Sequence, residues 1–306
     1  MAERNEMRRP AKKAPKKRSS AFLPAFKSFV GHLEGTGKAA HTIRNYRLDL
    51  EHFQTFLLST HAALRTPDLT AVTPAQVDAY HGHLKAQGLR ANTRRRKILT
   101  IGKFLRYIAG RNPAVADLGR KYAAPHKIER VPEVVSRDDL LAAVRALPAA
   151  SVLEARNRAL LWTLVETGML VHEVAALRFD SFNDTTVTAG GRESRKIPIS
   201  HALSQVIQDL RRSPRAGNAV FTGFNRYGSL GTAISPRGVE LLVRAFAPRL
   251  GFVSLTPRMI RHSVAVQWIR EGQPRTNVRE RLGLKTDYAF RVYEPLLAGK
   301  PPVSGS

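Results

Sequence analysis

The chain is 306 residues long, 43% apolar and free of cysteine, and its 50 lysines and arginines against 24 aspartates and glutamates give a formal charge of +26. This composition supports packed cores and excludes disulfides, thiolate zinc sites and cysteine nucleophiles. So large an excess of positive charge repels itself unless a polyanion neutralises it, which makes nucleic acid the leading partner, ahead of an anionic membrane surface.

Residues 1–20 carry Arg4, Arg8, Arg9, Lys12, Lys13, Lys16, Lys17 and Arg18, with Pro10 and Pro15 and almost nothing apolar. They read as a disordered basic arm, serving either as a solubilising tail or as a tracker of phosphates. No apolar run approaches a membrane span and the N-terminus has no signal-peptide core, so the expectation is a soluble, cytoplasmic, nucleoid-associated protein with no membrane partner.

From residue 21 to 111 the apolar spacing is helical. Phe22 to Leu33 forms a first helix. Ile43, Tyr46, Leu50, Phe53 and Leu57 recur every three or four positions, with Arg44, Arg47 and Glu51 opposite. Thr73-Pro74 caps a helix running through Tyr80 and Leu84 to Gly88. A fourth helix starts near Asn92 or Thr93 and buries Ile98, Ile101, Phe104 or Leu105, and Ile108. Its outward side is expected to carry Arg94, Arg95, Arg96, Lys97, Lys103 and Arg106.

Residues 112–132, with Asn112-Pro113, Pro125, Arg120, Lys121, Lys127 and Arg130, lack periodicity and read as a linker. From residue 133 to 306 a second domain follows. Ser136 with Asp138 and Asp139 opens a helix, and another spans Arg156 to Glu166 and closes at Gly168. The β-branched runs Thr185 to Ala189 and Arg195 to Ile199 flank Gly190-Gly191 as a hairpin, and helices continue to Tyr293. The fold class is therefore mainly α with a small β-hairpin (α+β). Nothing in the chain calls for a cofactor or a metal.

The run Glu166-Thr-Gly168-Met-Leu170-Val-His172-Glu173-Val to Leu177-Arg178-Phe179 resembles the first catalytic box of tyrosine recombinases, the phage integrase and Xer-like family. The hairpin ending Ile197-Pro198-Ile199 comes next in that family's order. Leu255-Thr-Pro-Arg258-Met-Ile-Arg261-His262-Ser263 resembles its second box, and Gly283 precedes Tyr293 by ten positions as in its C-terminal motif. The likeness covers roughly residues 22 to 296. It implies a helical, SAM-like core-binding domain over 21–111, a recombinase-like catalytic domain over 133–306, and a fold that clamps duplex DNA.

In that family a tyrosine attacks the scissile phosphate to form a 3′-phosphotyrosyl bond. Two arginines, histidine-type donors and a hairpin lysine stabilise the developing charge and protonate the leaving 5′-hydroxyl, as the chemistry demands. The resemblance carries over Tyr293, Arg261 and Glu173, with Arg258 where a histidine is expected. It fails at Leu170 in place of an arginine, at Gly190 in place of the lysine and at Leu284 in place of a histidine. His262 reads as support for its helix. Tyr293 has the alternative reading of a packed core tyrosine. Arg258 and Arg261, three apart, would share a helix face as a phosphate clamp.

The implied function is a double-stranded DNA-binding pseudoenzyme, architectural, regulatory or accessory, that keeps the recombinase clamp. A working site-specific recombinase for DNA integration, with donors relocated to Arg258, Arg192 or Lys196, is the alternative, and an RNA-binding protein on the same fold is a third. DNA contacts are expected from Lys12, Lys13, Lys16, Lys17, Arg44, Arg94, Arg95, Arg96, Lys97, Lys103, Arg192, Arg195, Lys196, Arg258 and Arg261. A second recombinase subunit, or another copy of the chain, is the further partner. The segment after Tyr293 would dock on that neighbour or on its own domain.

Overall fold

The computed structural model describes residues 22–60, 69, 72–115, 117, 128, 130–190, 194–213, 217–224 and 230–298. The basic arm with Lys12, Lys13, Lys16 and Lys17, the hairpin-tip Arg192 and most of the expected linker lie outside these residues. The chain divides into two compact units, one up to Ile128 and one from Glu129.

The first unit is helical: α1 (Phe22–Gly35), α2 (Ala40–Thr60), α3 (Pro74–Ala86) and α4 (Ala91–Ala109). Its core is aromatic, with Phe22, Phe53, Tyr80 and Phe104 fully buried in mutual tilted or edge contacts. The start of α3 is fixed chemically. Thr73 Oγ1 accepts from Gln76 N at 3.3 Å, Gln76 Oε1 accepts in return from Thr73 N at 2.9 Å, and Pro74 pre-sets the first turn.

The expected outward row on α4 needs correction. Asp49 of α2 is 1% exposed, and it draws in Lys97 Nζ at 3.2 Å, Arg96 Nη1 at 2.5 Å and the Thr100 hydroxyl at 3.1 Å. Lys97 is buried as a result. A carboxylate removed from water must be paired, and the pairing overrides the tendency of a lysine to face solvent. The sequence held the signal: Asp49 falls on the apolar stripe of α2, four residues before Phe53, and Lys97 on that of α4, four before Ile101.

The second unit is helical around short antiparallel ribbons, as the fold class anticipates. It contains α5 (Arg137–Arg145), α6 (Val152–Thr167), α7 (Val171–Ala175), β1 (Thr186–Ala189), β2 (Arg195–Pro198), α8 (His201–Arg212), β3 (Thr222–Phe224), β4 (Leu230–Ala233), α9 (Pro236–Phe246), α10 (Pro257–Arg270) and α11 (Arg275–Leu282). A 3-10 stretch (Asp287–Tyr293) and α12 (Glu294–Leu297) follow. β1 pairs β2 with Val187 opposite Ile197, both fully buried, so the alternation set the register. The β3–β4 ribbon was not anticipated.

Helix α6 is the buried spine of this unit. Ser151 and Glu154 form a reciprocal capping box at its start, and Gly168 ends it in the left-handed region at φ 61°. Glu166, buried on α6, accepts from Trp162 Nε1 at 2.7 Å, from the Ser200 hydroxyl at 3.0 Å and from Ser200 N. That carboxylate ties α6 to the N-terminus of α8. Of the segment after Tyr293 the described residues 294–298 pack on their own unit, with Arg270 Nη2 donating to Leu296 O at 2.9 Å. No helix among the described residues is long and apolar enough to cross a membrane.

Candidate functional site

The family-like boxes converge within the second unit. Gly168 turns the chain out of α6 so tightly that a Cβ there would lie 3.1 Å from Leu282 Cδ2 and 3.2 Å from Val264 Cγ1. This close approach brings the α6–α7 turn against α10 and the end of α11. Leu170 follows as the residue that opens α7, and its N–H donates to Glu173 Oε2 at 2.8 Å. Its own side chain is 38% exposed.

Glu173 is 7% exposed and takes its main partner from the hairpin: Arg195 Nη1 donates to Oε1 at 2.6 Å and Nη2 to Oε2 at 2.9 Å. Burial pushes the Glu173 carboxyl up, but the Arg195 hydrogen bonds, the Leu170 N–H and the charges of Arg195 and Arg261 outweigh it and hold the pKa below the usual range. Arg195 Nε also donates to Arg281 O at 2.7 Å. Arg261 grips the adjoining carbonyl, with Nη2 donating to Leu282 O at 2.5 Å and Nη1 to Gly168 O at 2.8 Å. Two guanidinium groups thus hold successive carbonyls at the end of α11. Gly283, at φ 62°, completes the turn, and a Cβ there would sit 3.0 Å from Arg195 Nη1.

Arg258 and Arg261, three residues apart on α10, have different surroundings. Arg261 is largely enclosed, and burial together with Arg195 lowers its pKa while Glu173 opposes. Arg258 is exposed and donates from Nε to His262 Nε2 at 3.1 Å. His262 Nδ1 lies 2.8 Å from the Tyr293 hydroxyl. Tyr293 is 4% exposed, and burial raises its pKa against the opposing charges of Arg261 and Arg258. Burial, then Arg258 and Arg261, lower the His262 pKa to about 4.

The remaining expected positions divide by environment. Gly190 is exposed, and a Cβ built on it meets nothing within 4 Å. Leu284 is half-buried against the core. Arg195, Lys196, Arg279, Arg281 and Lys285 line an open groove of about 590 Å³, with Glu173, Glu280 and Leu284 also in its wall. In the first unit a groove of about 490 Å³ is lined by His41, Asn45, Tyr46, Arg95, Arg96 and Lys103. Lys103 Nζ there donates to the Tyr46 hydroxyl at 2.9 Å. Arg44 is exposed beside a separate surface hollow, and Arg94 turns back to Leu89 O at 2.5 Å. The Glu166 carboxylate and the Arg195–Glu173 pair were missed by sequence reasoning. An acid three residues after Leu170 and an arginine opening β2 were visible, but not their contact.

The chain matches the family model described as the phage integrase N-terminal SAM-like domain over residues 26–112, and the phage integrase family model over residues 133–297. It is 27% identical over 284 residues to the tyrosine recombinase XerC of Xylella fastidiosa, covering 90% of this chain and 92% of that protein. Among solved structures it is similar to a lambda integrase dimer bound to a COC′ core site, with TM-score 0.68 and 15% identity over 94% of this chain and 81% of that one. It is also similar to XerH recombinase bound to difH substrate in a pre-cleavage complex, with TM-score 0.66 and 18% identity over 88% and 79%. At these identities the solved structures speak to the fold.

Proposed function

The chain belongs to the phage integrase family, and we propose that it binds duplex DNA through the recombinase clamp with strand cleavage severely weakened or lost. The observation that carries this reading is the environment of Leu170. At the position where the family pattern has an arginine, an apolar side chain stands half-exposed, and the Glu173 carboxylate beside it is occupied by Arg195. Phosphoryl transfer needs fixed donors where negative charge develops, and each lost donor typically costs about a hundred- to a thousand-fold in rate. Gly190 and Leu284 remove a cation and a proton source from the same chemistry. Tyr293 and Arg261 remain, and the basic grooves favour a polyanion.

A second reading keeps cleavage. It is favoured by the placement of Arg195 and Arg258, two cations whose charges reach Glu173 and Tyr293 respectively, and by the tyrosine recombinases among the relatives. Incubation with nicked duplex DNA followed by denaturing electrophoresis separates the two. The proposal expects duplex binding by both wild type and Tyr293→Phe and no covalent adduct from either. An adduct formed by wild type and abolished in Tyr293→Phe would establish the second reading. Tighter binding to RNA than to duplex DNA would overturn both.

A further inference from the structure

Arg258, His262 and Tyr293 form a directed chain of hydrogen bonds. Every nitrogen of a guanidinium group donates and none accepts. Arg258 Nε, 3.1 Å from His262 Nε2, therefore requires a lone pair on that ring nitrogen. A neutral imidazole carries one N–H and one acceptor, so the ring proton of His262 sits on Nδ1. Nδ1 lies 2.8 Å from the Tyr293 oxygen, with the rings edge to face at 68° and their centroids 5.5 Å apart. The phenolic oxygen is then the acceptor.

We propose that Arg258 sets the tautomer of His262, and that His262, as a positioning residue, holds the Tyr293 oxygen by an N–H donor and favours its phenolate. The direction depends on the residue at 258. A histidine there could accept from His262 as readily as donate to it, whereas an arginine can only donate. The ring stays neutral at pH 7 because burial, then Arg258 and Arg261, depress its pKa to about 4. Tyr293 is enclosed and its burial opposes ionisation, while the charges of Arg261 and Arg258 counter that burial; an N–H donor held at the oxygen acts in the same direction. The nucleophile half of the family's chemistry would persist in this chain while the phosphoryl-stabilising half is depleted. The inference rests on reading Tyr293 as the family's nucleophile position, but its test needs no cleavage.

Long-range nitrogen–proton spectra of the histidine rings in the full chain read the tautomer directly, with the His262 signals assigned by their loss in His262→Asn. The expected result is a neutral ring protonated on Nδ1 at pH 7, and a shift toward Nε2 protonation in Arg258→Leu. Tyrosinate absorbance, taken as wild type minus Tyr293→Phe, supplies the second readout. Tyr293 should ionise at least about tenfold less readily in His262→Phe, one pKa unit, and recover in His262→Asn, whose amide N–H can replace Nδ1–H. An Nε2-protonated or charged ring in wild type at pH 7 would overturn the relay, as would unchanged Tyr293 titration in a folded His262→Phe. If that variant fails to fold, the wild-type and Arg258→Leu spectra decide. Duplex binding measured on the same samples keeps the two readings apart: a wrong tautomer with DNA bound sinks the relay alone, and the right tautomer without DNA binding sinks the DNA reading alone.

Discussion

Arg195 opens β2 and Glu173 closes the first turn of α7, yet their side chains meet in a two-pronged ion pair, 2.6 and 2.9 Å long, from positions 22 residues apart. The pair is largely enclosed, with side-chain exposures of 15% and 7%. Arg195→Ala should lower the unfolding free energy by roughly 3 to 5 kcal/mol, because it leaves a buried carboxylate with one backbone donor. The double variant Arg195→Ala/Glu173→Ala should lose less than the sum of the singles in urea unfolding. Additive losses would mean that the two groups do not interact. The folded Glu173 pKa is depressed, so the stability it contributes is present above the unfolded carboxyl's pKa and is lost as pH falls through the folded value.

His262 gives a second acid-sensitive element. Its pKa falls from 6.5 to about 4 on folding. Above pH 6.5 the ring is neutral in both states and contributes no pH dependence. Between 6.5 and 4 the unfolded chain takes up a proton that the folded chain refuses, so stability should decline over that window by on the order of 2 to 3 kcal/mol and level off below it. Chemical denaturation at stepped pH checks this, and His262→Asn should flatten the slope across the window. An equal slope in the variant would assign the decline to other groups.

Duplex binding should weaken steeply with salt. The exposed Arg44, Arg258, Lys196 and Lys285 and the basic arm together can neutralise about six to ten phosphates, which corresponds to a loss of roughly 10³ to 10⁵ in affinity between 50 and 200 mM salt. Fluorescence anisotropy on labelled duplexes measures it. Deleting residues 1–20 should reduce affinity to a similar extent on all sequences and make the salt slope shallower, since phosphate contacts carry no sequence information. A change of sequence preference without loss of affinity would contradict that role.

Restoring the two missing cations tests how far the pocket has departed from a cleaving one. Leu170 is partly exposed, and a Cβ at Gly190 meets nothing within 4 Å and faces no positive φ, so Leu170→Arg/Gly190→Lys should fold with a Tm close to wild type. The paired variant is expected to yield a weak phosphotyrosyl adduct on nicked duplex, abolished by adding Tyr293→Phe. A larger adduct from wild type than from the paired variant would show that the added cations disturb a pocket that already works.

Much of the architecture is legible in the amino-acid sequence. The 3.6-residue periodicity located α1 to α4, the Thr73-Pro74 and Gly168 signals located helix ends, and the β-branched runs about Gly190 located β1 and β2, because these are local properties of the chain. The order of the boxes fixed the family, and single positions such as Leu170 and Leu284 marked where it departs from the pattern. What the sequence could not decide was which charges are available to a ligand. Lys97 looked like one more outward cation until Asp49 was seen buried beside it, Arg195 was one hairpin cation beside Arg192 and Lys196 until Glu173 met it, and Arg258 and Arg261 shared a helix face on paper until one faced His262 and the other the carbonyls of Gly168 and Leu282. Residue type sets the charge, but only contacts between elements distant in sequence set its desolvation and its partners, and those two quantities govern whether a charge holds the fold or remains free to meet phosphate.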